Sequence, residues 1–423
     1  MEPLAKIYKK AASRKFQAML NTCVNCGLCA EACHYYCSEP QPNLIPTNRN
    51  KILARVVAKY FHPIKSRIPM LSAKPTAGDS IFDDLFEAAF QNCTLCAKCA
   101  LVCPMGINTG DIMAVARTLL FGLDKVPDGL VEPVRQTLET GNYLGLTQED
   151  FVETMEWVAE EMEDDMGEGF TIPIDQKNCN VLYIPHPLTI RDLTFLLMDE
   201  IKILEAAGES YTFSSDGFDT VNYALYQGNK PAALLAAKKN LKARESINAK
   251  SIALAPCGHG YRMLRWETER MMGHRFDFPI YTLVELIDQY IQDGRLKLNK
   301  DVLEGPVTYH DPCNIARRGG VIEEPRRVIA ALSDHFIEMQ PHGVHNFCCG
   351  GGGGLASTAS FGKVRKTSGA AKAEQIRKTD AKTVITGCFN CKTQIRDIGK
   401  HYDLGIQVKS IVEVVSSAIT TFC

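Results

Sequence analysis

The chain has 423 residues, with 47 Lys and Arg against 49 Asp and Glu and a formal net charge of -2. That length supports about two to four domains with ample core, and the balanced charge argues against a dedicated nucleic-acid binder. No apolar run reaches the roughly 18 residues of a membrane span, and the N-terminus MEPLAKIYKKAASRKFQAML lacks the marks of Sec or Tat export. The unusual count is 17 cysteines. In a reducing compartment, clustered cysteines are metal ligands or redox catalysts rather than disulfides, so the composition points to a soluble, intracellular, metal-loaded redox protein.

Residues 1–80 hold twelve Lys and Arg against four Asp and Glu. This basic segment either offsets the negative charge of thiolate-bound metal or faces an anionic membrane surface or acidic partner. Within it CVNCGLCAEAC sets Cys23, Cys26, Cys29 and Cys33 at the spacing C-x2-C-x2-C-x3-C. NRNKILARVVAKYF (48–61) has helical spacing, and DSIFDDLFEAAFQN (79–92) predicts a helix with Asp79 as N-cap. CTLCAKCALVCP then repeats the first motif with Cys93, Cys96, Cys99 and Cys103. Two-residue gaps wrap three thiolates around one face of a compact iron–sulfur cluster, and the fourth cysteine ligates the other cluster of the pair. One cluster is therefore assigned to Cys23, Cys26, Cys29 and Cys103, the other to Cys93, Cys96, Cys99 and Cys33. Zinc sites need only four ligands and do not use this triple spacing. His34 stands where proline usually follows the fourth cysteine, and Cys37 is expected to be a buried thiol rather than a ligand. No C-x-x-C-H occurs, so covalent haem is not indicated.

Residues 147–169 hold ten Asp and Glu and no Lys or Arg. Phe151, Met155, Val158 and Met162 recur at helical spacing, so one side of this acidic helix is expected to pack. From 181 onward, short β-branched runs alternate with helical stretches, the pattern of βα units and parallel sheets. VLYIPHP (181–187), SIALAPC (251–257), VTYHDPC (307–313) and TVITGC (383–388) are the predicted strands. An internal repeat relates them. Tyr183 matches Tyr309 and Pro187 matches Cys313; FSSDG (213–217) matches FCCGG (347–351); Cys257 matches Cys388 and Gly260 matches Cys391. The second half keeps five cysteines, Cys313, Cys348, Cys349, Cys388 and Cys391, whereas the first keeps Cys257.

Cys348 and Cys349 are followed by Gly350 to Gly354. Adjacent cysteines point apart unless the backbone bends, and glycine permits the bend and leaves amides free to bind anionic sulfur. The glycine run is no phosphate loop, because Gly362-Lys363 is followed by Val364. The pattern C-xn-CCG-xm-C-x2-C resembles the CCG domain of heterodisulfide reductase subunits. The whole chain, two ferredoxin motifs followed by two CCG-type domains, resembles the HdrD/DsrK family, with TmcB- and HmcF-like subunits of membrane redox complexes among its relatives. The resemblance implies a noncubane [4Fe–4S] cluster on Cys313, Cys348, Cys349, Cys388 and Cys391, in addition to two cubane [4Fe–4S] clusters. With Ser214 and Ser215 at the paired-cysteine positions, a second noncubane cluster is not expected. Cys257 is either a remnant core thiol or a further group at the special cluster.

The expected fold class is α/β plus α-helical ferredoxin-like. A helical two-cluster domain (1–125) and an acidic helical linker (126–175) precede two duplicated α/β CCG-type domains, one degenerate (176–300) and one complete (301–423). The resemblance implies an oxidoreductase subunit acting on sulfur groups, in which the five cysteines of the complete domain are catalytic. An open iron position there would hold one sulfur of a disulfide while electrons arrive singly through the cubanes. Arg317 and Arg318 either bind an acidic substrate or balance cluster charge. His310 and Asp311 are either proton donors or parts of a structural turn, with His259 and His345 as further candidates. The implied partners are a membrane b-type cytochrome or quinone-interacting subunit, a multihaem cytochrome, and a disulfide or DsrC-like sulfur carrier, with no nucleic acid. The implied location is the cytoplasmic face of the inner membrane. The alternative is a pure relay subunit of a flavin-dependent glycolate, lactate or glycerol-3-phosphate dehydrogenase.

Overall fold

A computed structural model describes residues 4–61, 76, 78–300 and 302–420. The N-terminal part is helical. Pro46 opens the helix Pro46–Tyr60, where its missing N–H costs nothing, and the Asn108 side chain caps the helix Thr109–Phe121 by accepting from Asp111 N–H. These two helices and Ser80–Phe86 bury Leu53, Val56, Phe82, Leu85, Ile112 and Leu119 between them. Asp79 occupies the N-cap position of Ser80–Phe86, but its carboxylate makes no cap bond. It accepts instead from Tyr60 Oη at 2.8 Å and Thr76 N–H at 3.0 Å, because the tyrosine of the preceding helix lies closer to hand than the helix end.

Two parallel sheets follow. The first has the order β2-β1-β3-β4, from Tyr211–Thr212, Val181–Ile184, Ser251–Leu254 and Ile280–Thr282. The second has the order β5-β6-β7, from Val307–His310, Thr383–Thr386 and Gln407–Ser410, and an isolated parallel bridge sets Phe336 beside β5. The registers correspond: Val181 pairs with Ser251 in one sheet and Val307 with Thr383 in the other. Each last strand runs into a helix through a capping box, Thr282 with Glu285 and Ser410 with Glu413. Because the strands within each sheet are parallel, their C-terminal ends lie on the same side of it.

The two sheet units share one apolar core. The helix Thr194–Ala206 of the first packs on Ile411–Ala418 of the second, and Leu283–Gln292 packs on Glu323–Leu332. The acidic helix Gln148–Glu161 joins this core through Phe151, Met155 and Val158, with Met162 just beyond, and keeps its carboxylates outward. Its start is fixed by a Thr147–Asp150 capping box.

One side chain ties all the parts together. Arg117 is fully buried. Its guanidinium donates to Ala89 O (2.9 Å) and Cys93 O (2.8 Å) in the helical part, to Tyr226 O (2.9 Å) in the first sheet unit, and to Gly353 O (2.6 Å) in the second. Burial pulls its pKa down to about 10, which still leaves it charged at neutral pH. Arg117→Met retains the aliphatic volume but strands four carbonyls. Global stability is expected to fall by about 3 kcal/mol or more, read as a lowered denaturation midpoint.

Glu200, on Thr194–Ala206, is buried, and burial followed by the nearby Asp199 raises its pKa from 4.5 to about 8. A carboxyl raised on folding stabilises fully below its unfolded pKa and loses that contribution as pH climbs through its folded pKa. Stability is therefore expected to decline between pH 4.5 and 8 on account of this group. Glu200→Gln should flatten that decline in calorimetric scans across the window.

Candidate metal centres

The two C-x2-C-x2-C loops adopt the same backbone. Asn25 (φ 58°) and Gly27 (φ 82°) in the first correspond to Leu95 (φ 59°) and Ala97 (φ 62°) in the second. Two left-handed residues per loop turn the chain enough to aim three cysteines at one point. A leucine and an alanine in that region are strained, a cost seen where function demands the geometry. Cys23, Cys26 and Cys29 line one hollow, and Cys103 of the second motif completes it, with Thr47, Asn50 and Ile107 in the wall. Thr47 Oγ1 lies 3.0 Å from Cys23 Sγ.

The other four cysteines gather deeper. Cys99 is pushed up to about 12 by burial and by neighbouring Cys96, Cys33 and Cys93. Arg49, buried on the helix Pro46–Tyr60, donates to Cys33 Sγ at 3.0 Å and to the carbonyls of Leu44 (3.1 Å) and Asn92. Burial opposes its charge, but the Cys33, Cys93 and Cys99 thiols more than restore it, so its pKa lies above the usual arginine value. Both sets of four soft sulfur donors fit a compact iron–sulfur cluster.

The third group sits at the strand ends of the second sheet. Cys313 follows β5, Cys388 is the N-cap of the helix Phe389–His401 that follows β6, and Cys391 lies in that helix's first turn. Cys349 Sγ is 3.5 Å from Cys391 Sγ, and a ring nitrogen of His310 lies within 4.8 Å of both sulfurs. The neighbouring Cys313, Cys349 and Cys96, followed by burial, raise the Cys348 thiol well above its ordinary pKa. Cys313 is partly exposed and the other four are buried. Five thiols converging on one space exceed the needs of a zinc ion and suit a multinuclear centre.

The glycine run makes this convergence possible. Gly350 (φ 92°) reverses the chain after the cysteine pair, and its N–H donates to Cys348 Sγ at 3.5 Å. At Gly353 (φ 68°) a Cβ would stand 2.9 Å from Thr94 O, so the loop presses directly on the second ferredoxin-like motif. His259 Nε2 accepts from Gly353 N–H at 3.2 Å, and its Nδ1 lies 3.0 Å from Asn390 Nδ2. Burial holds this imidazole neutral, with a pKa of about 3. The contact with the helical part continues in Thr94 Oγ1, 3.4 Å from Cys348 Sγ. Ligating atoms of His34, Cys96 and Cys348 lie within 4.8 Å of one another. Cys96, from the second motif, thus touches the paired-cysteine loop, and His34 fills the gap between them.

Several single residues find their places. Cys257 is buried, caps the helix Gly258–Arg262, and has Cys388 as its main electrostatic neighbour, while Gly258 N–H donates to Cys388 Sγ at 3.5 Å. Cys257 therefore lies in the buried core beside Cys388. Cys37 is exposed rather than buried; its short helix His34–Ser38 turns it outward, where it bonds Glu31 O at 3.1 Å. Asp311 is a structural residue. It takes both Arg326 nitrogens at 3.0 Å and Gly343 N–H at 2.8 Å, which commits both carboxylate oxygens to holding the chain. His345 is exposed. Ser214 and Ser215 are buried and locally bonded, to Asp216 N–H and to Asp175.

Neither Lys372 nor Asn346 stands out by motif or spacing, yet both belong to this site. Lys372 is wholly buried and donates to Asn346 Oδ1 at 2.6 Å and to Gln375 Oε1. Asn346 Nδ2 faces His310 Nδ1 at 3.3 Å, orienting that ring toward Cys349. Burial pulls the Lys372 ammonium down to about 7, with Asp311, Cys349 and Cys348 pulling the other way. The one available signal was a lysine within the alanine-rich face AAKAEQ.

Comparison with known proteins agrees with this geometry. Residues 19–107 match the family described as "4Fe-4S dicluster domain", and residues 307–396 match the "Cysteine-rich domain" called CCG. The chain is 26% identical over 453 residues to the Hdr-like menaquinol oxidoreductase iron-sulfur subunit 2 of Archaeoglobus fulgidus, covering 96% of this chain and 81% of that one. It is 25% identical over 409 residues to a subunit of the dihydromethanophenazine:CoB–CoM heterodisulfide reductase of Methanosarcina barkeri, covering 95% and 94%. It is 24% identical over 405 residues to the EtfAB:quinone oxidoreductase of Syntrophomonas wolfei, covering 89% of this chain and 55% of that one. Cysteine motifs, matched domains and relatives spanning nearly the whole length converge on one description: an HdrD/DsrK-like iron–sulfur protein with a CCG domain.

Proposed function

We propose that the chain carries two cubane [4Fe–4S] clusters and one noncubane [4Fe–4S] cluster in series. Cys23, Cys26, Cys29 and Cys103 hold the first, Cys93, Cys96, Cys99 and Cys33 the second. Cys313, Cys348, Cys349, Cys388 and Cys391 hold the third, with Cys257 at its edge. The observation that carries this reading is the meeting of Cys96 with Cys348, ligands of two different centres, within 4.8 Å. When bound, such clusters supply single electrons and an iron able to take a foreign sulfur ligand. Around them, Arg49, Arg117 and Lys372 offset thiolate charge, and the Gly350 and Gly258 amides donate to ligand sulfurs.

In this reading the chain is the electron-transfer and disulfide-reducing iron–sulfur subunit of a membrane-associated respiratory complex. It exchanges electrons with a b-type cytochrome or quinone-interacting subunit, directly or beside a multihaem cytochrome, and acts on a disulfide or a DsrC-like sulfur carrier at the cytoplasmic face. Among the described residues no helix is long and apolar enough to cross a membrane, and the reading places attachment in partner subunits. The two sheets, with matching order and register, are read as copies of one design within the division 1–125, 126–175, 176–300 and 301–423. The likeness to the EtfAB:quinone oxidoreductase favours a second reading, a pure relay between a flavoprotein and a quinone.

Iron and acid-labile sulfide should each come to about twelve per chain, four for each of three clusters. Cys348→Ser should lower both to about eight and abolish a paramagnetic signal that appears on thiol oxidation, while leaving the reduced cubane signals. A value of about eight in the unaltered protein would sink the third cluster. Co-purification with a flavoprotein instead of a cytochrome would favour the relay.

A further inference from the structure

His310 closes β5 and is fully buried, with one ring nitrogen within 4.8 Å of Cys349 Sγ and Cys391 Sγ. Whether it offers those sulfurs a hydrogen or a lone pair is decided by the groups behind it.

Lys372 is the fixed point, because an ammonium only donates. Its three hydrogens go to Asn346 Oδ1 (2.6 Å), Gln375 Oε1 and Met339 Sδ (3.7 Å). The Asn346 atom that faces Lys372 must therefore be the oxygen, and its NH2 group points the other way. Gln375 is oriented in the same manner, and its own NH2 donates to Pro341 O. One hydrogen of Asn346 Nδ2 goes to Asp311 O at 2.9 Å, and the other faces His310 Nδ1 at 3.3 Å. The Asn346 backbone is held as well: its N–H donates to Gly343 O at 3.2 Å, and its carbonyl accepts from Arg317. A flipped amide would set NH2 against the ammonium and oxygen against the Asp311 carbonyl.

A ring nitrogen that faces an N–H donor must present its lone pair, so His310 Nδ1 carries no hydrogen. The ring's one proton is then on Nε2. A second proton, on Nδ1, would point at the Asn346 N–H. Nε2 is buried and, among the described residues, has no hydrogen-bond partner. With Nδ1 taken by Asn346, Nε2–H is the group left for the sulfurs. Iron ligation through Nε2 would need the opposite tautomer, with a proton on Nδ1 against Asn346 Nδ2.

We propose that His310 is a locked N–H donor to anionic sulfur at the five-cysteine site, not an iron ligand, and that Asn346, oriented by Lys372, is the positioning residue that holds its tautomer. The inference rests on the third cluster proposed above and assigns a group that tunes it. An N–H aimed at ligand sulfur favours the electron-richer, reduced state and so raises the reduction potential of the centre.

The test uses the cluster-loaded full chain and the paramagnetic signal of the third centre. His310→Phe keeps a ring and removes the donor, whereas His310→Gln can accept from Asn346 through Oε1 and donate through Nε2. Iron should stay at about twelve per chain in both. The midpoint potential of the signal should fall in H310F and return toward the wild-type value in H310Q. In pulsed EPR after exchange into D2O, one exchangeable-hydrogen coupling of the wild type should be missing from H310F and present in H310Q. Labelling with 15N-histidine should reveal no iron-bound nitrogen. Neutron diffraction of deuterium-exchanged crystals should place a deuteron on Nε2 and none on Nδ1. In Asn346→Asp, whose carboxylate accepts, a deuteron should appear on Nδ1. An iron-bound histidine nitrogen that vanishes in H310F, a wild-type deuteron on Nδ1, a bare Nδ1 in N346D, or H310F with wild-type potential and couplings overturns the proposal. If H310F fails to load iron, the deuteron position and the match of H310Q to the wild type decide. About eight irons in the wild type would remove the third cluster, and the donor assignment would then stand or fall on the deuteron alone.

Discussion

Arg117 is the constraint on which the arrangement of centres depends. A fully buried guanidinium with no carboxylate beside it is costly unless its donors are used, and here four carbonyls from three parts of the chain use them. Two of those carbonyls belong to residues of the metal-binding loops themselves, Cys93 and Gly353. The guanidinium therefore fixes the second ferredoxin-like loop against the glycine loop that carries the paired cysteines. That link supports the contact of Thr94 with Cys348 and the approach of Gly353 to the Thr94 carbonyl, alongside the bonds of Arg317 to the Cys96 and Asn346 carbonyls.

The same cation also answers an electrostatic problem. Gathering thirteen candidate thiolates in and near a protein interior invites repulsion, and each group resists ionisation when buried. Arg49 at Cys33, Arg117 at Cys93, Lys372 behind Cys348 and Cys349, and Arg317 on the Cys96 backbone place positive groups around the inner set and the paired-cysteine loop. Burial weakens such groups as isolated ions, yet next to anionic sulfur they are mutually stabilising. This explains why buried Lys and Arg side chains, rare in ordinary cores, are frequent here.

Backbone strain is concentrated in the same places. Leu95 and Ala97 take left-handed conformations that glycine takes more cheaply, as Gly27 does in the first loop. The second loop is the one pressed between Arg117 and the glycine run, so surrounding contacts offset the strain. The first loop lies nearer the surface, with Cys26 exposed and Val24, Leu28 and Met105 around it open to solvent. The inner centre is the more buried, with Cys33 and Cys93 enclosed, whereas the outer one is accessible.

Much of this was legible along the chain. Cysteine spacing specified both ferredoxin-like loops, because a compact cluster demands local wrapping, and the pairing of Cys103 with the first motif followed from the rule that the fourth cysteine serves the other cluster. Alternation of β-branched and helical runs marked four of the seven strands among the described residues, whereas Tyr211–Thr212, Ile280–Thr282 and Gln407–Ser410, short or partly exposed, carried no such signal. Tertiary structure decided what depends on neighbours distant in sequence. It turned Asp79 from its cap to Tyr60, sent Cys37 outward, gave Asp311 to Arg326, and set buried Cys257 beside Cys388. It also placed Lys372 and Arg117 inside. Local spacing encodes what a short loop can wrap, but a buried charge is decided only by which carbonyls and thiolates the finished fold brings to it.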